Sequence, residues 1–191
     1  MPSSKPGPLT GLLALHVRRG DYIEHCTNLA NWGAGYMGFN EFPGFPDRFK
    51  VPTVNSEGDE ALKERLAIYN PHCFPQIGQI VSRVREVRAS LLQTTKLTRV
   101  YVLSNGRPEW MSELYDALQK DAREQGLSEW EHIGTSRDLR LTREQKHNSQ
   151  VVDMAVASRA EVFIGNGVGV SICSATIRGL LMHRWKISFR A

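Results

Sequence analysis

The chain has 191 residues, enough for one domain or for one domain and a small extension. Its 41% hydrophobic and 23% charged content is that of a soluble globular fold, and a net charge of +4 favours anionic ligands such as phosphates without implying nucleic acid. No basic-aromatic alternation, zinc-finger spacing or long Lys/Arg block is present, and no stretch approaches a membrane span.

The first ten residues read as a flexible lead. The opening Met1-Pro2-Ser3-Ser4 is not a signal peptide, because the apolar run that follows is too short for one. That run, Leu12 to Val17, is continuous and suits a strand buried on both faces of a parallel sheet. It ends abruptly in Arg18-Arg19-Gly20-Asp21. Residues 26–58 are rich in Gly, Pro, Asn and aromatics, and predict a long ordered loop. A short helix is expected from Asp59 to Tyr69. A longer amphipathic one follows, with Ile77, Ile80, Val81, Val84, Val87 and Leu91 on one face and Arg83, Arg85 and Arg88 on the solvated face. Arg99 to Ser104 reads as the next buried strand. Pro108 to Gln125 is a helix with Pro in its first turn and Gly126 as its stop. Trp130 to Ile133 reads as a short strand. Thr142 and Gln145 form a capping-box pattern for a helix running to about Arg159. Glu161 to Gly165 is a further strand, Asn166-Gly167-Val168-Gly169 a turn of small residues, and a last helix lies within Ser171 to Leu181. Residues 168–191 form a divergent tail to a domain spanning 11–191.

Strand and helix alternate, so the fold class is α/β: a Rossmann-like parallel sheet with helices on both faces. Ligands of such sheets bind beyond the carboxyl ends of the strands. Two strand ends carry candidate chemistry there. In His16-Val17-Arg18-Arg19-Gly20-Asp21, an arginine fork suits a diphosphate because it donates two parallel bonds and stays charged. Neighbouring strand residues face opposite ways, so Arg18 and Arg19 do not both reach one phosphate. Asp21 is placed to hold Arg18 or to bond a sugar hydroxyl. Spacing alone leaves a surface salt bridge equally open, and the Arg19-Gly20-Asp21 tripeptide by itself is weak evidence of adhesion. At the second strand end, Gly165, Gly167 and Gly169 allow close approach of backbone to phosphate, although a plain tight turn fits as well. Asp153 is a candidate acceptor for the amino groups of guanine, or a solvated helix charge. Cys26, Cys73 and Cys173 make no zinc motif; Cys26 and Cys73 either bridge, in an oxidising lumen, or stay buried thiols.

The ordered set His16-Val17-Arg18-Arg19-Gly20-Asp21, Val100-Tyr101-Val102-Leu103-Ser104-Asn105-Gly106 and Asp153 to Gly167 resembles the three motifs of GDP-fucose-dependent fucosyltransferases, including protein O-fucosyltransferases and fungal-type relatives. The resemblance covers about Leu12 to Gly167. It implies the carboxyl-terminal, donor-binding half of a GT-B glycosyltransferase that moves fucose from GDP-fucose to a protein or glycan hydroxyl. By the same resemblance Arg18 is the catalytic arginine that holds the diphosphate. His16, Arg19, Asp21, Ser104, Asn105, Asp153, Asn166, Gly167 and Ser171 complete the donor-binding set. No cofactor is implied. No metal is expected either, as the chain has no Asp-x-Asp cluster. Relatives act in the ER or Golgi lumen, yet no signal segment is read here. Relatives carry a whole domain before the first motif, where only fifteen residues precede His16, and the text after Gly167 departs from the pattern. Both ends are therefore expected to reflect a truncated or mis-spliced gene model. A non-catalytic GDP-sugar-binding module and an unrelated nucleotide-binding α/β domain are the competing readings.

Overall fold

The computed structural model describes residues 7–36 and 49–165. The apolar run forms β1 (Leu9–His16), and the chain continues through α1 (Tyr22–Trp32), α2 (Gly58–Cys73) and α3 (Ile77–Leu91) before β2 (Arg99–Leu103). Next come α4 (Pro108–Glu124), β3 (His132–Gly134), a 3-10 turn at Ser136–Asp138, α5 (Arg143–His147), α6 (Ser149–Ala157) and β4 (Ala160–Gly165). Among the described residues four strands make one all-parallel sheet in the order β3-β2-β1-β4. Strand β1 is thus central and meets β2 on one side and β4 on the other. Its register aligns His16 with Leu103 and with Gly165, which brings three strand ends to one edge.

Both faces of the sheet are covered, as a run of uninterrupted apolar residues requires. Leu13 and Leu15 of β1, with Val17 just past its end, pack with α3 and α4 through Ile80, Val84, Leu114 and Leu118. The intervening Leu12 and Ala14 pack with Tyr101, Leu103, Phe163 and Ala157 beneath α6. Burying a side chain such as Leu13 or Leu15 contributes about 1.5–3 kcal/mol each. Among the described residues, no helix is long and apolar enough to cross a membrane.

Several expectations need correction. Strand β1 starts at Leu9, inside the segment read as a flexible lead. Residues 26–32, read as the start of a loop, belong to α1, which stops at the left-handed Gly33. Helix α2 runs past Tyr69 to Cys73 even though Pro71 lies inside it and has no N–H to give to the carbonyl four residues back. The Thr142 capping box is present, but the helix it opens breaks at Asn148, whose backbone leaves the helical region, so α5 and α6 are separate. The arginines of α3 are not a solvated face. Arg83 and Arg88 are buried, Arg88 stacks on Trp130 at 4.1 Å, and Arg85 pairs with Asp121 of α4. Periodicity missed this because long arginine stems bury against neighbours while their heads find partners.

Cys26 and Cys73 form a disulfide, which ties α1 to α2. Around it Leu29, Ala30, Tyr36 and Tyr69 make a small satellite core, closed by hydrogen bonds from the Tyr36 hydroxyl to the Tyr69 carbonyl (3.0 Å) and from the Tyr69 hydroxyl to the Ala34 carbonyl (2.8 Å). The last expected helix, Asn166, Gly167, Ser171 and Cys173 lie outside the described residues.

Candidate functional site

A cavity of about 460 Å³ opens at the carboxyl edge of β1 and β2. Its floor is His16, Arg18, Leu103 and Ser104, and its far wall is built from the 136–141 segment and the α5–α6 region, ending at Asp153. This is the carboxyl edge of the sheet, the side on which open α/β sheets take their ligands, next to the reversal of strand order between β1 and β4.

His16 lies on the α6 side of β1, in step with Leu12 and Ala14, and lines the cavity floor. It is 7% exposed, and its Nδ1 has no hydrogen-bond partner among the described residues. Burial first, and the adjacent Arg18 charge second, hold its imidazole down to about 4, so the ring is neutral at physiological pH. Arg18, two residues on, also faces the cavity. Its Nη2 sits 3.3 Å from Asp21 Oδ1, and its guanidinium lies 5.6 Å from the Tyr22 ring centre. Asp21, well exposed at the start of α1, thus holds the arginine and is not itself part of the cavity lining.

Arg19 points away from Arg18, as strand alternation requires. Its guanidinium is sandwiched between Phe74 (4.1 Å) and Trp110 (4.3 Å), and donates to the Pro75 carbonyl at 2.9 Å. Burial lowers its pKa to about 10. The structure therefore does not bring Arg19 to the cavity with Arg18; it is a pillar between the β1 end, α2 and α4.

Ser104 and Asn105 line the cavity, but their side chains are committed to its frame. Ser104 Oγ donates to the Val17 carbonyl at 2.7 Å and accepts from the Gly106 N–H at 3.0 Å. The Asn105 amide grips the Arg19 backbone on both sides, accepting from its N–H at 2.7 Å and donating to its carbonyl at 3.0 Å. Sequence and fold agree closely here. Gly20 adopts a left-handed φ of 72°, which turns the chain out of β1 beside Asn105. Gly106 lacks the Cβ that would sit 2.6 Å from the Trp110 ring, so the indole can close over Arg19.

Asp153, half-buried on α6, forms the opposite wall. Its Oδ1 accepts from the Tyr101 hydroxyl at 2.9 Å. Burial raises its pKa, while hydrogen bonds from Tyr101 and Ser136 pull it back. Burial and the neighbouring carboxylate also push the Tyr101 phenol up, so it stays a protonated donor. Sequence reasoning missed Tyr101, Ser136, Leu141, Lys146 and Gln150 as neighbours of Asp153. Only the spacing of Lys146, Gln150 and Asp153 at four and three residues hinted that one side of this region shares a surface. Among the described residues, no three His, Cys, Asp or Glu side chains converge as a metal set.

A cationic floor, a neutral buried imidazole and a carboxylate opposite them suit an elongated ligand with a negative end and a hydrogen-bond-donating end. No family model matches the sequence, and no curated protein matches it. Solved structures do. POFUT1 in complex with GDP superposes with a TM-score of 0.56 at 15% identity, covering 95% of this chain and 44% of that one. The apo form gives 0.56 at 16% identity, over 95% of this chain and 42% of that one. The complex with GDP-fucose in its second crystal form gives 0.54 at 16%, over 95% and 43% respectively. The chain spans less than half the length of the structures it matches. By this likeness the chain, with its parallel sheet and flanking helices, has a POFUT1-like fucosyltransferase fold.

Proposed function

We propose that this chain binds GDP-fucose as the donor-binding half of a fucosyltransferase acting on a protein or glycan hydroxyl. The observation that supports this most directly is the pairing of Arg18 and His16 on one wall of the strand-end cavity with Asp153 on the other. In this reading the diphosphate lies against Arg18, the fucose beside it, and the base against Asp153. Transfer breaks the bond between the sugar anomeric carbon and the β-phosphate oxygen, and negative charge grows on the departing GDP. The Arg18 guanidinium, paired with the exposed Asp21 at the cavity rim, stabilises that charge. His16, held neutral, lends a hydrogen-bonding ring atom and adds no second positive charge.

Titration of the chain with GDP, ADP and UDP tests the binding half. GDP is expected to bind most tightly, and Arg18→Ala to weaken it at least tenfold. In a preparation that transfers fucose, the same change removes roughly 100- to 1,000-fold in turnover. Equal affinity for the three nucleotides overturns the reading in favour of a general nucleotide domain. GDP binding with neither transfer nor hydrolysis supports the reading of this chain as a non-catalytic module.

A further inference from the structure

We propose that Tyr101 is the positioning residue that sets the base specificity of the cavity, by pinning one oxygen of Asp153 so that the other faces the bound base. The proposal rests on the preceding reading, in which the base of a nucleoside diphosphate lies against Asp153. Tyr101 belongs to β2, is 7% exposed and is packed into the sheet core with Leu12, Ala14 and Phe163. Its ring cannot swing, and its hydroxyl emerges at one place only, 2.9 Å from Asp153 Oδ1. Asp153 sits on a short helix at the cavity wall, and its carboxylate is held by two donors, the Tyr101 hydroxyl, which is fixed by the sheet core, and Ser136 on the largely exposed 136–138 turn. The hydroxyl therefore sets which oxygen faces the cavity and in which plane the carboxylate lies.

The chemistry follows from that plane. A carboxylate accepts only. Guanine offers an N–H and an adjacent amino group on one edge, two donors side by side. Adenine offers a donor beside an acceptor, and uracil a donor between two acceptors. A fixed carboxylate matches the guanine edge and leaves an acceptor-bearing edge facing an acceptor, which penalises the wrong base more than it rewards the right one. An unpinned carboxylate would retain attraction and lose much of this selectivity.

The test uses GDP, inosine diphosphate and xanthosine diphosphate as calorimetric probes. Inosine lacks the amino group, and xanthine replaces it with a carbonyl oxygen. The wild-type chain is expected to prefer GDP over inosine diphosphate by about ten- to hundredfold, the range of a hydrogen bond to a charged group. Tyr101→Phe keeps the ring in the core, and is expected to reduce that ratio to about threefold or less while affinity for inosine diphosphate stays within about twofold. Asp153→Asn supplies the second arm. Tyr101 holds the amide oxygen, so the NH2 faces the cavity and xanthosine diphosphate becomes the preferred ligand. In the double variant the amide keeps only its Ser136 neighbour and loses the donor anchored in the sheet, and the preference for xanthine is expected to fall to about threefold or less. A Tyr101→Phe chain that keeps the wild-type ratio, or a double variant that keeps the xanthine preference, overturns the positioning role while leaving the cavity reading intact. Failure of the wild-type chain to bind any of the three overturns the cavity reading and this one with it.

Discussion

Acidification offers a direct measure of how far His16 is removed from water. The folded chain holds this imidazole down to about 4, chiefly through burial and secondarily through Arg18, whereas an unfolded histidine titrates near its ordinary 6.5. The unfolded chain therefore binds the proton more tightly. The stabilisation is fully present above pH 6.5 and is lost as pH falls towards 4. The complete span corresponds to about 3 kcal/mol at 1.36 kcal/mol per unit, and the portion lost between pH 7 and pH 4.5 is about 2 kcal/mol. The raised Asp153 acts in the opposite sense, so the difference between wild type and His16→Gln isolates the histidine. Urea unfolding at the two pH values, followed by far-ultraviolet circular dichroism, is the assay. His16→Gln is expected to lose about 2 kcal/mol less than wild type on acidification, with an unchanged denaturant slope. Equal losses, or an NMR titration of the His16 ring with a midpoint near 6.5, would refute the reasoning.

Three further outcomes follow from the geometry. Reducing the Cys26–Cys73 bridge, which closes a 47-residue separation, is expected to lower stability by about 4 kcal/mol in the chain-entropy picture, read as a fall in the urea midpoint; an unchanged midpoint would show that the satellite core holds α1 and α2 together unaided. Gly106→Ala sets a methyl group 2.6 Å from the Trp110 ring, and should cost about 1–3 kcal/mol by overpacking and shift tryptophan emission as the indole leaves Arg19. GDP affinity measured with and without EDTA is expected to be the same, and a drop on chelation would mean that a divalent ion bridges the diphosphate.

The sheet was legible because its strands are short apolar runs with abrupt polar ends, and burial on both faces leaves such runs few alternatives. The cavity floor was legible for the same reason: His16 and Arg18 stand one alternation apart at a strand end, and Arg19 had to face the other way. What alternation cannot tell is what lies on that other side. The aromatic sandwich around Arg19 is made by Phe74 and Trp110, which are remote in sequence and meet only in the fold. Ser104 and Asn105 looked like ligand groups because polar residues follow a buried strand. The structure engages them instead with the backbone of β1's exit, a pairing that needs the β1–β2 register to be known. The link from Tyr101 to Asp153 escaped notice for a related reason: a tyrosine within an apolar run reads as core, and its hydroxyl shows its purpose only once α6 is laid over it. The break at Asn148 was hidden because apolar residues continue at helical spacing on its far side.

The central place of β1 also bears on synthesis. The bond from Arg19 to Asn105 spans 86 residues and that from Gly11 to Glu161 spans 150, so β1, made before the other described strands, acquires its neighbours late, and β4 last among them. At about 5–20 residues per second the ribosome needs roughly 8–30 seconds to add 150 residues. Throughout that interval a sticky hydrocarbon ribbon, Leu12 to Val17, emerges from the exit tunnel with one edge or both unsatisfied. Nascent chains of this protein should therefore recruit holdase chaperones early and keep them at least until β4 docks.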